Sequence, residues 1–362
     1  MYTEIIKIIE GGLKKDPKKV FSYAKLLAEK LLNDGEDKMA ATIQSLINQK
    51  MVNTVSMDEL LATPVDQESG MGIADVFIPT ETTSIILPEL LNTKVNGFIN
   101  SIQHRKLLDS HGVTSSNTLL LYGMPGVGKT KIAQYISEKT GLPLVVARLD
   151  GIVSSLLGNT AKNVRKIFDF ADSKPCILFL DEFDAIAKAR DDQHELGELK
   201  RVINSLLQNI DAFASNNILI AATNHQELLD KAIWRRFNTV IEISPPSQEE
   251  IEKLLVLFFK NFKISFLDDK KKLEKAANLL LGKTPADIKT VVNKTITQSL
   301  IEEKKLIDFE DLAVHIFDFN THGSYTIEDL IKYLNDNGIP QSQIAEKLAI
   351  SIRQVRNNLN EK

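Results

Sequence analysis

Gly123-Met124-Pro125-Gly126-Val127-Gly128-Lys129-Thr130 fits the spacing G-x-x-x-x-G-K-[ST] of a phosphate-cradling loop. The apolar run Thr118–Tyr122 precedes it, short enough for a buried strand. Lys131 to Thr140 follows with apolar residues at helical spacing and Gly141 as a stop. A strand, a glycine-rich turn and a helix N-terminus together make an anion trap. Backbone N–H groups converge on phosphate oxygens and the helix dipole adds to their pull. Glycine allows the tight path and the close approach of backbone to ligand. Lys129 can reach the outer phosphates, and the Thr130 hydroxyl suits a magnesium ion. Gly123, Pro125, Gly126, Val127, Gly128, Lys129, Thr130 and Lys131 are therefore the candidate nucleotide contacts.

Three further clusters suit phosphoryl transfer. Pro175 to Asp181-Glu182 is an apolar run ending in two acids, about 60 residues beyond the glycine loop. At a strand tip, Asp181 could hold the metal and Glu182 could take a proton from the attacking water. Asn224 closes the apolar run Ile218–Thr223, where an amide can hold water or a γ-phosphate without adding charge. Trp234-Arg235-Arg236-Phe237 offers two guanidiniums. These suit solvated charge, a phosphate grip, or stabilisation of a transferring phosphoryl group in cis or in trans.

Gly-Met-Pro-Gly-Val-Gly-Lys-Thr130, Phe-Leu-Asp-Glu-Phe-Asp184, Ala-Ala-Thr-Asn224 and Arg-Arg-Phe237 resemble the motifs of the AAA family of ATPases, in the same order. Leu87-Pro-Glu and Leu119-Leu-Leu-Tyr-Gly123 look like that family's lead-in, and the likeness spans about residues 84–317. The resemblance implies ATP and Mg2+ as cofactors and a homo-oligomeric ring, usually of six subunits, with nucleotide at each interface. It assigns Lys129 and Thr130 to phosphate and metal, Asp181 to metal, Glu182 to the general base and Asn224 to the first sensor. Arg236 matches the finger that enters the neighbour's site, with Arg235 a second candidate. Thr239 stands where many members carry another arginine. Gly282-Lys-Thr-Pro-Ala-Asp287 matches the opening of the second-sensor helix, and Lys283 is a poor charged sensor. Leu156-Leu157-Gly158 falls at the central pore loop, where leucine keeps apolar contact but lacks an aromatic ring's flat area. The compact layout is similar to bacterial ATPases that act with a separate subtilisin-like serine protease in toxin–antitoxin or phage-defence pairs. On that likeness the substrate or partner is a protein.

The elements that must position these groups alternate strand and helix from Ser84 to about Pro245. The fold class expected is α/β, a P-loop parallel sheet with helices on both faces and ligands at the carboxyl ends of the strands. Beyond Pro245-Pro246 the pattern is helical only, at 249–261, 270–281, 286–303 and 308–317. The division expected is an N-terminal helical module (1–51), a linker (52–83), the α/β nucleotide-binding domain (84–245), a small α-helical lid (246–322) and a C-terminal helix-turn-helix-like segment (323–362). Within the first module, Val20 to Leu31 and Ala40 to Ile47 read as amphipathic helices. Lys14, Lys15, Lys18 and Lys19 read as a solvated face rather than a phosphate patch.

The whole chain of 362 residues has a formal net charge of -4, which argues against a general nucleic-acid field. Its single cysteine, Cys176, excludes an internal disulfide, fits a reducing compartment and reads as a buried structural thiol. No apolar stretch approaches the roughly 20 residues of a membrane span, so a cytoplasmic protein is expected. At the C-terminal end, Ser342 to Leu359 resembles a helix-turn-helix. Ala345 allows close packing, and Arg353, Gln354, Arg356 and Asn357 lie on the second helix. Residues 324–362 balance five basic against five acidic residues, so DNA is a partner to consider but not the favoured one.

Overall fold

The computed structural model describes residues 72–79, 84–113, 117–149, 157–185, 196–214, 217–229 and 231–360, with isolated positions before them. The chain divides into two compact units, residues 1–76 and 77–362. In the first, Tyr23, Ala24, Leu26–Ala28, Lys30 and Leu31 are helical, as are Met39, Ala40, Thr42 and Ile43. Leu27, Leu31 and Ala40 are buried together with Ile43 against them. The lysine cluster at 14–19, together with Leu46 and Ile47, lies outside the described residues.

The sheet has six strands in the order β1-β3-β4-β5-β2-β6. They are β1 (Asp75–Phe77), β2 (Thr118–Tyr122), β3 (Leu144–Arg148), β4 (Ile177–Asp181), β5 (Ile218–Thr223) and β6 (Thr239–Glu242). The pairs β3–β4, β4–β5, β5–β2 and β2–β6 are parallel. Continuous apolar runs suit strands covered on both faces. Leu119, Leu121, Ile177, Phe179, Ile218, Ile220 and Ala222 face one way, onto helices α1 (Glu89–Gln103) and α3 (Lys129–Thr140), where Val95, Phe98, Ile132 and Ile136 meet them. A short helix, α2 (Arg105–Ser110), follows α1. The alternate strand positions, Leu120, Leu178, Leu180 and Leu219, are also fully buried, and strand periodicity turns them to the opposite face. There α4 (Leu157–Asp172) and α5 (Leu196–Ala214) pack on each other, with Phe168 and Phe213 edge to face at 5.6 Å.

Register brings the candidate groups level. Tyr122 of β2 pairs with Thr223 of β5, and Leu180 of β4 pairs with Ala221 of β5. The glycine loop, Asp181-Glu182 and Asn224 thus leave three adjacent strands at the same carboxyl edge, where open α/β sheets bind ligands.

After the one-turn helix α6 (Lys231–Trp234) and β6, seven helices follow. They are α7 (Gln248–Phe259), α8 (Lys270–Leu279), α9 (Pro285–Ile301), α10 (Phe309–Thr321), α11 (Ile327–Asp336), α12 (Gln341–Lys347) and α13 (Ile352–Asn360). Their starts are written in the sequence as capping boxes: Ser247 with Glu250, Thr284 with Asp287 behind Pro285, Asp308 with Asp311, and Thr326 with Asp329. Phe259, Phe266 and Phe309 form an edge-to-face chain at 6.0 and 6.2 Å. One hydrophobic cluster runs unbroken from Ile251 in α7 to Val355 in α13.

Candidate nucleotide site

The loop between β2 and α3 owes its path to three glycines with positive φ: Gly123 at 148°, Gly126 at 82° and Gly128 at 102°. A Cβ on Gly123 would stand 2.2 Å from the Ile243 carbonyl oxygen, and a Cβ on Gly126 would stand 2.7 Å from Thr284 Oγ1 and 3.0 Å from Ala286 Cβ. The first contact seats the loop on the end of β6. The second seats the start of α9 on the loop, and there Ala286 N–H donates to the Gly126 carbonyl at 3.2 Å. Met124, Pro125, Gly126 and Lys131 are exposed, whereas Val127 and Lys129 are buried.

Lys129 Nζ donates to the carbonyls of Gly123 (2.7 Å) and Met124 (2.9 Å), folding the ammonium back under the loop. Burial lowers its pKa, and the nearby Asp181 and Asp184 carboxylates only partly oppose that shift. A phosphate would restore the charge that burial penalises. Thr130 Oγ1 donates to Asp181 Oδ2 at 3.1 Å, so the two oxygen ligands expected for magnesium already touch. Such a hard oxygen pair beside a phosphate loop fits Mg2+.

Glu182 sits at φ 54°, in the left-handed region that a non-glycine residue enters at a cost of about 1–2 kcal/mol. Asp181 Oδ1 accepts from Glu182 N–H (3.0 Å), and Phe183 N–H donates to the Ala222 carbonyl (2.8 Å), which hold the turn in place. Asn224 is partly exposed, and its side-chain amide has no partner among the described residues.

Two residues that the sequence reading left without a role organise this edge. Asp184, buried at 3 % exposure, accepts from Thr223 Oγ1 (3.0 Å) and from Asn224 N–H (3.2 Å). Thr223 Oγ1 in turn accepts from His225 N–H at 3.0 Å. A carboxylate two residues beyond Glu182 therefore fixes the backbone on which Asn224 stands. The signal was the acid at the end of Asp-Glu-Phe-Asp184.

Among the described residues, neither arginine side chain bonds to this cluster. Arg236 Nε and Nη2 bind Asp211 of α5 at 2.8 and 2.9 Å, and Nη1 donates to the Ala232 carbonyl at 2.6 Å. Arg235 is exposed, its N–H donates to the Lys231 carbonyl at 3.4 Å, and its guanidinium has no partner among the described residues. Nothing in the sequence reading pointed to Asp211. Lys283 Nζ lies 5.3 Å from the centre of the Phe319 ring. Of the pore-loop stretch, Ser154 to Leu156 and the side chain of Leu157 lie outside the described residues. Cys176 is buried, its thiol pushed up to about 12 by desolvation, as a structural cysteine requires. Among the described residues no helix is long and apolar enough to cross a membrane.

A parallel sheet whose carboxyl edge carries a glycine phosphate loop touched by the start of α9, an acidic strand tip and an amide defines a P-loop nucleotide-binding protein. Comparison with known proteins narrows the class. Residues 119–245 match the family "ATPase family associated with various cellular activities (AAA)". The chain is 35% identical over 293 residues to an uncharacterized AAA family ATPase of Sinorhizobium fredii, covering 79% of this chain and 87% of that one. It is 30% identical over 240 residues to a putative 26S proteasome regulatory subunit homolog of Methanocaldococcus jannaschii, 65% of this chain and 63% of that one. It is 33% identical over 217 residues to a proteasome-activating nucleotidase of Methanococcus maripaludis, 58% of this chain and 52% of that one. The chain belongs to the AAA family of ATPases.

Proposed function

We propose that this ATPase works as a ring, usually of six copies, and spends ATP on unfolding or remodelling a protein. The observation that carries the reading is the split of the machinery. Lys129, Thr130, Asp181, Glu182 and Asn224 gather at one edge, while Arg236 is held on Asp211 instead. In this reading the loop amides and Lys129 bind the phosphates, and Thr130 and Asp181 hold Mg2+, which supplies charge neutralisation. Glu182 takes a proton from water as its oxygen attacks the γ-phosphorus, and ADP leaves with the electrons of the broken bond. Asn224 orients that water. Arg236, with Arg235 beside it, completes the neighbouring copy's site.

The named activity of the proteasome-activating relatives supports a protein substrate, although the chain spans only 52% of such a relative. The compact layout makes a separate subtilisin-like serine protease the first partner to test. The reading takes residues 84–245 as the nucleotide-binding domain and 246–322 as the lid, with helical modules at either end and a linker at 52–83. It places the protein in the cytoplasm.

Glu182→Gln tests it. This variant keeps ATP bound, hardly turns it over and accumulates as assembled rings in mass photometry. Arg236→Ala keeps nucleotide affinity within about twofold and lowers turnover roughly 10³-fold, the scale of a missing finger. Near-normal hydrolysis by Glu182→Gln, or an affinity loss as severe as the rate loss in Arg236→Ala, removes those residues from their roles. Turnover unmoved by an unfolded protein sinks the remodelling reading.

A further inference from the structure

The last three helices form a tight unit whose exposed side is unused by the nucleotide chemistry. α12 and α13 cross through the turn Leu348–Ser351, where Ala349 takes φ 52° and Ile350 N–H donates to the Ala345 carbonyl at 3.0 Å. Ile344 and Val355 are fully buried at the crossing and Ala345 nearly so, and α11 packs against both helices. Small Ala345 lets the backbones approach, as a helix-turn-helix requires. Glu302, Lys304 and Lys347 surround the buried Asp311 and tie α12 to the start of α10. Lys347 Nζ is 2.5 Å from Asp311 Oδ1 and 3.9 Å from Glu302.

Only the Val355 side of α13 is fully covered. Its other positions expose Arg353, Arg356 and Asn357, and no acid falls between Ile352 and Asn360. Of the acids in the module, Glu328, Asp329 and Asp336 sit on α11 and Glu346 on α12, while Glu361 follows the last residue of α13 in the sequence. The neutral balance of the segment thus hides a segregated charge. Arg353 and Asn357 are four residues apart and share a face, as do Arg353 and Arg356. Arg356 Nε donates to Gln341 Oε1 at 3.3 Å, joining the first residue of α12 to the middle of α13. The carboxamide oxygen of Gln354 is occupied, because it accepts from Ser351 N–H (2.9 Å) and Ser351 Oγ (2.8 Å) as a cap. Gln354 thus caps the start of α13 through its oxygen, and Arg353 and Asn357 are left as the exposed candidates on this face.

We propose that α13 is a duplex-DNA-binding helix. It enters the major groove with Arg353 and Asn357 toward base edges and with Arg356 and Gln341 on the phosphate backbone. An α-helix fits the major groove of B-form DNA, arginine and asparagine suit purine edges, and an acid-free basic face complements phosphate.

The test uses the full chain, a fluorescent 30-base-pair DNA duplex and the same sequence as double-stranded RNA, with binding read by anisotropy at 50 and 200 mM salt. Wild type is expected to bind the DNA in a salt-dependent way. The double variant Arg353→Ala, Asn357→Ala is expected to bind at least tenfold more weakly. Its melting temperature and its ATP turnover without DNA should be unchanged, since both side chains are exposed. RNA should bind at least tenfold more weakly than DNA, because the A-form major groove is too deep and narrow for a helix. Absence of wild-type binding at 50 mM salt, equal binding by the variant, or equal binding of RNA overturns the proposal. So does a variant that loses an unfolded-protein substrate and keeps DNA. None of these outcomes bears on the Glu182 test.

Discussion

Replacing Thr223 by valine isolates what the Asp184 network contributes. The residue is fully buried, and valine has nearly its volume, so no cavity opens. Two hydrogen bonds are lost, the 3.0 Å donation to Asp184 Oδ1 and the 3.0 Å acceptance from His225 N–H. A bond to a buried carboxylate contributes about 1.5–3 kcal/mol and a neutral one about 0.5–1.5, so the expected cost is roughly 2–4 kcal/mol. At about 2–4 °C per kcal/mol for a chain of this size, melting should fall by about 5–15 °C. Asp184 keeps its bond from Asn224 N–H, but the strand tip loosens around it. Turnover should drop about tenfold while nucleotide affinity stays within about twofold, because Lys129 and Thr130 are untouched. Scanning calorimetry and a coupled ATPase assay measure both. Thr223→Ser keeps the hydroxyl and should recover most of each loss. A valine variant melting within about 1 °C of wild type would refute the reasoning, because the two hydrogen bonds would then contribute nothing. A serine variant as damaged as the valine one would refute it too, because packing would then be responsible.

Gly126→Ala should push the lid off the loop, because its Cβ would stand 2.7 Å from Thr284 Oγ1 at a φ of 82°. Nucleotide affinity should fall at least tenfold and hydrogen exchange should rise in the first turn of α9. Gly128→Ala, with nothing within 4 Å of its Cβ, should leave α9 protected. Asp311→Asn should lower the melting temperature at neutral pH, since it strands Lys304 and Lys347 around a site only 2 % exposed. Burial raises the Asp311 pKa, but hydrogen bonds from Lys304 and Lys347 outweigh it and hold the carboxyl below its ordinary 3.8. A depressed carboxylate stabilises the fold fully above its unfolded value and loses that contribution as pH falls through the folded one. The gap between variant and wild type should therefore be whole above about pH 4 and should close only in stronger acid. A gap that closes near neutrality would exclude the ion cluster as its source.

Much of this was legible because local chemistry and global fold agree. Buried parallel strands must be apolar throughout, so β2, β4 and β5 appear as uninterrupted runs with their functional residue at the end. Capping pairs such as Thr284 with Asp287 mark the lid helices, and α7 to α10 begin within one residue of the starts expected at 249, 270, 286 and 308. Asp211 was silent because an acid on an amphipathic helix reads as solvated surface until tertiary packing brings Arg236 to it. Thr223 was silent for a related reason, since a β-branched residue at a strand end needs no further role. The strand β1 is three residues long, too short for periodicity to register.

The seam between Gly126 and Ala286 has a mechanical consequence. A single cluster of buried side chains continues from α7 to α13, so these helices are joined by packing as well as by chain. A small tilt imposed where ATP meets the loop would sweep the far tip through a longer arc, as a needle magnifies the turn of its pivot.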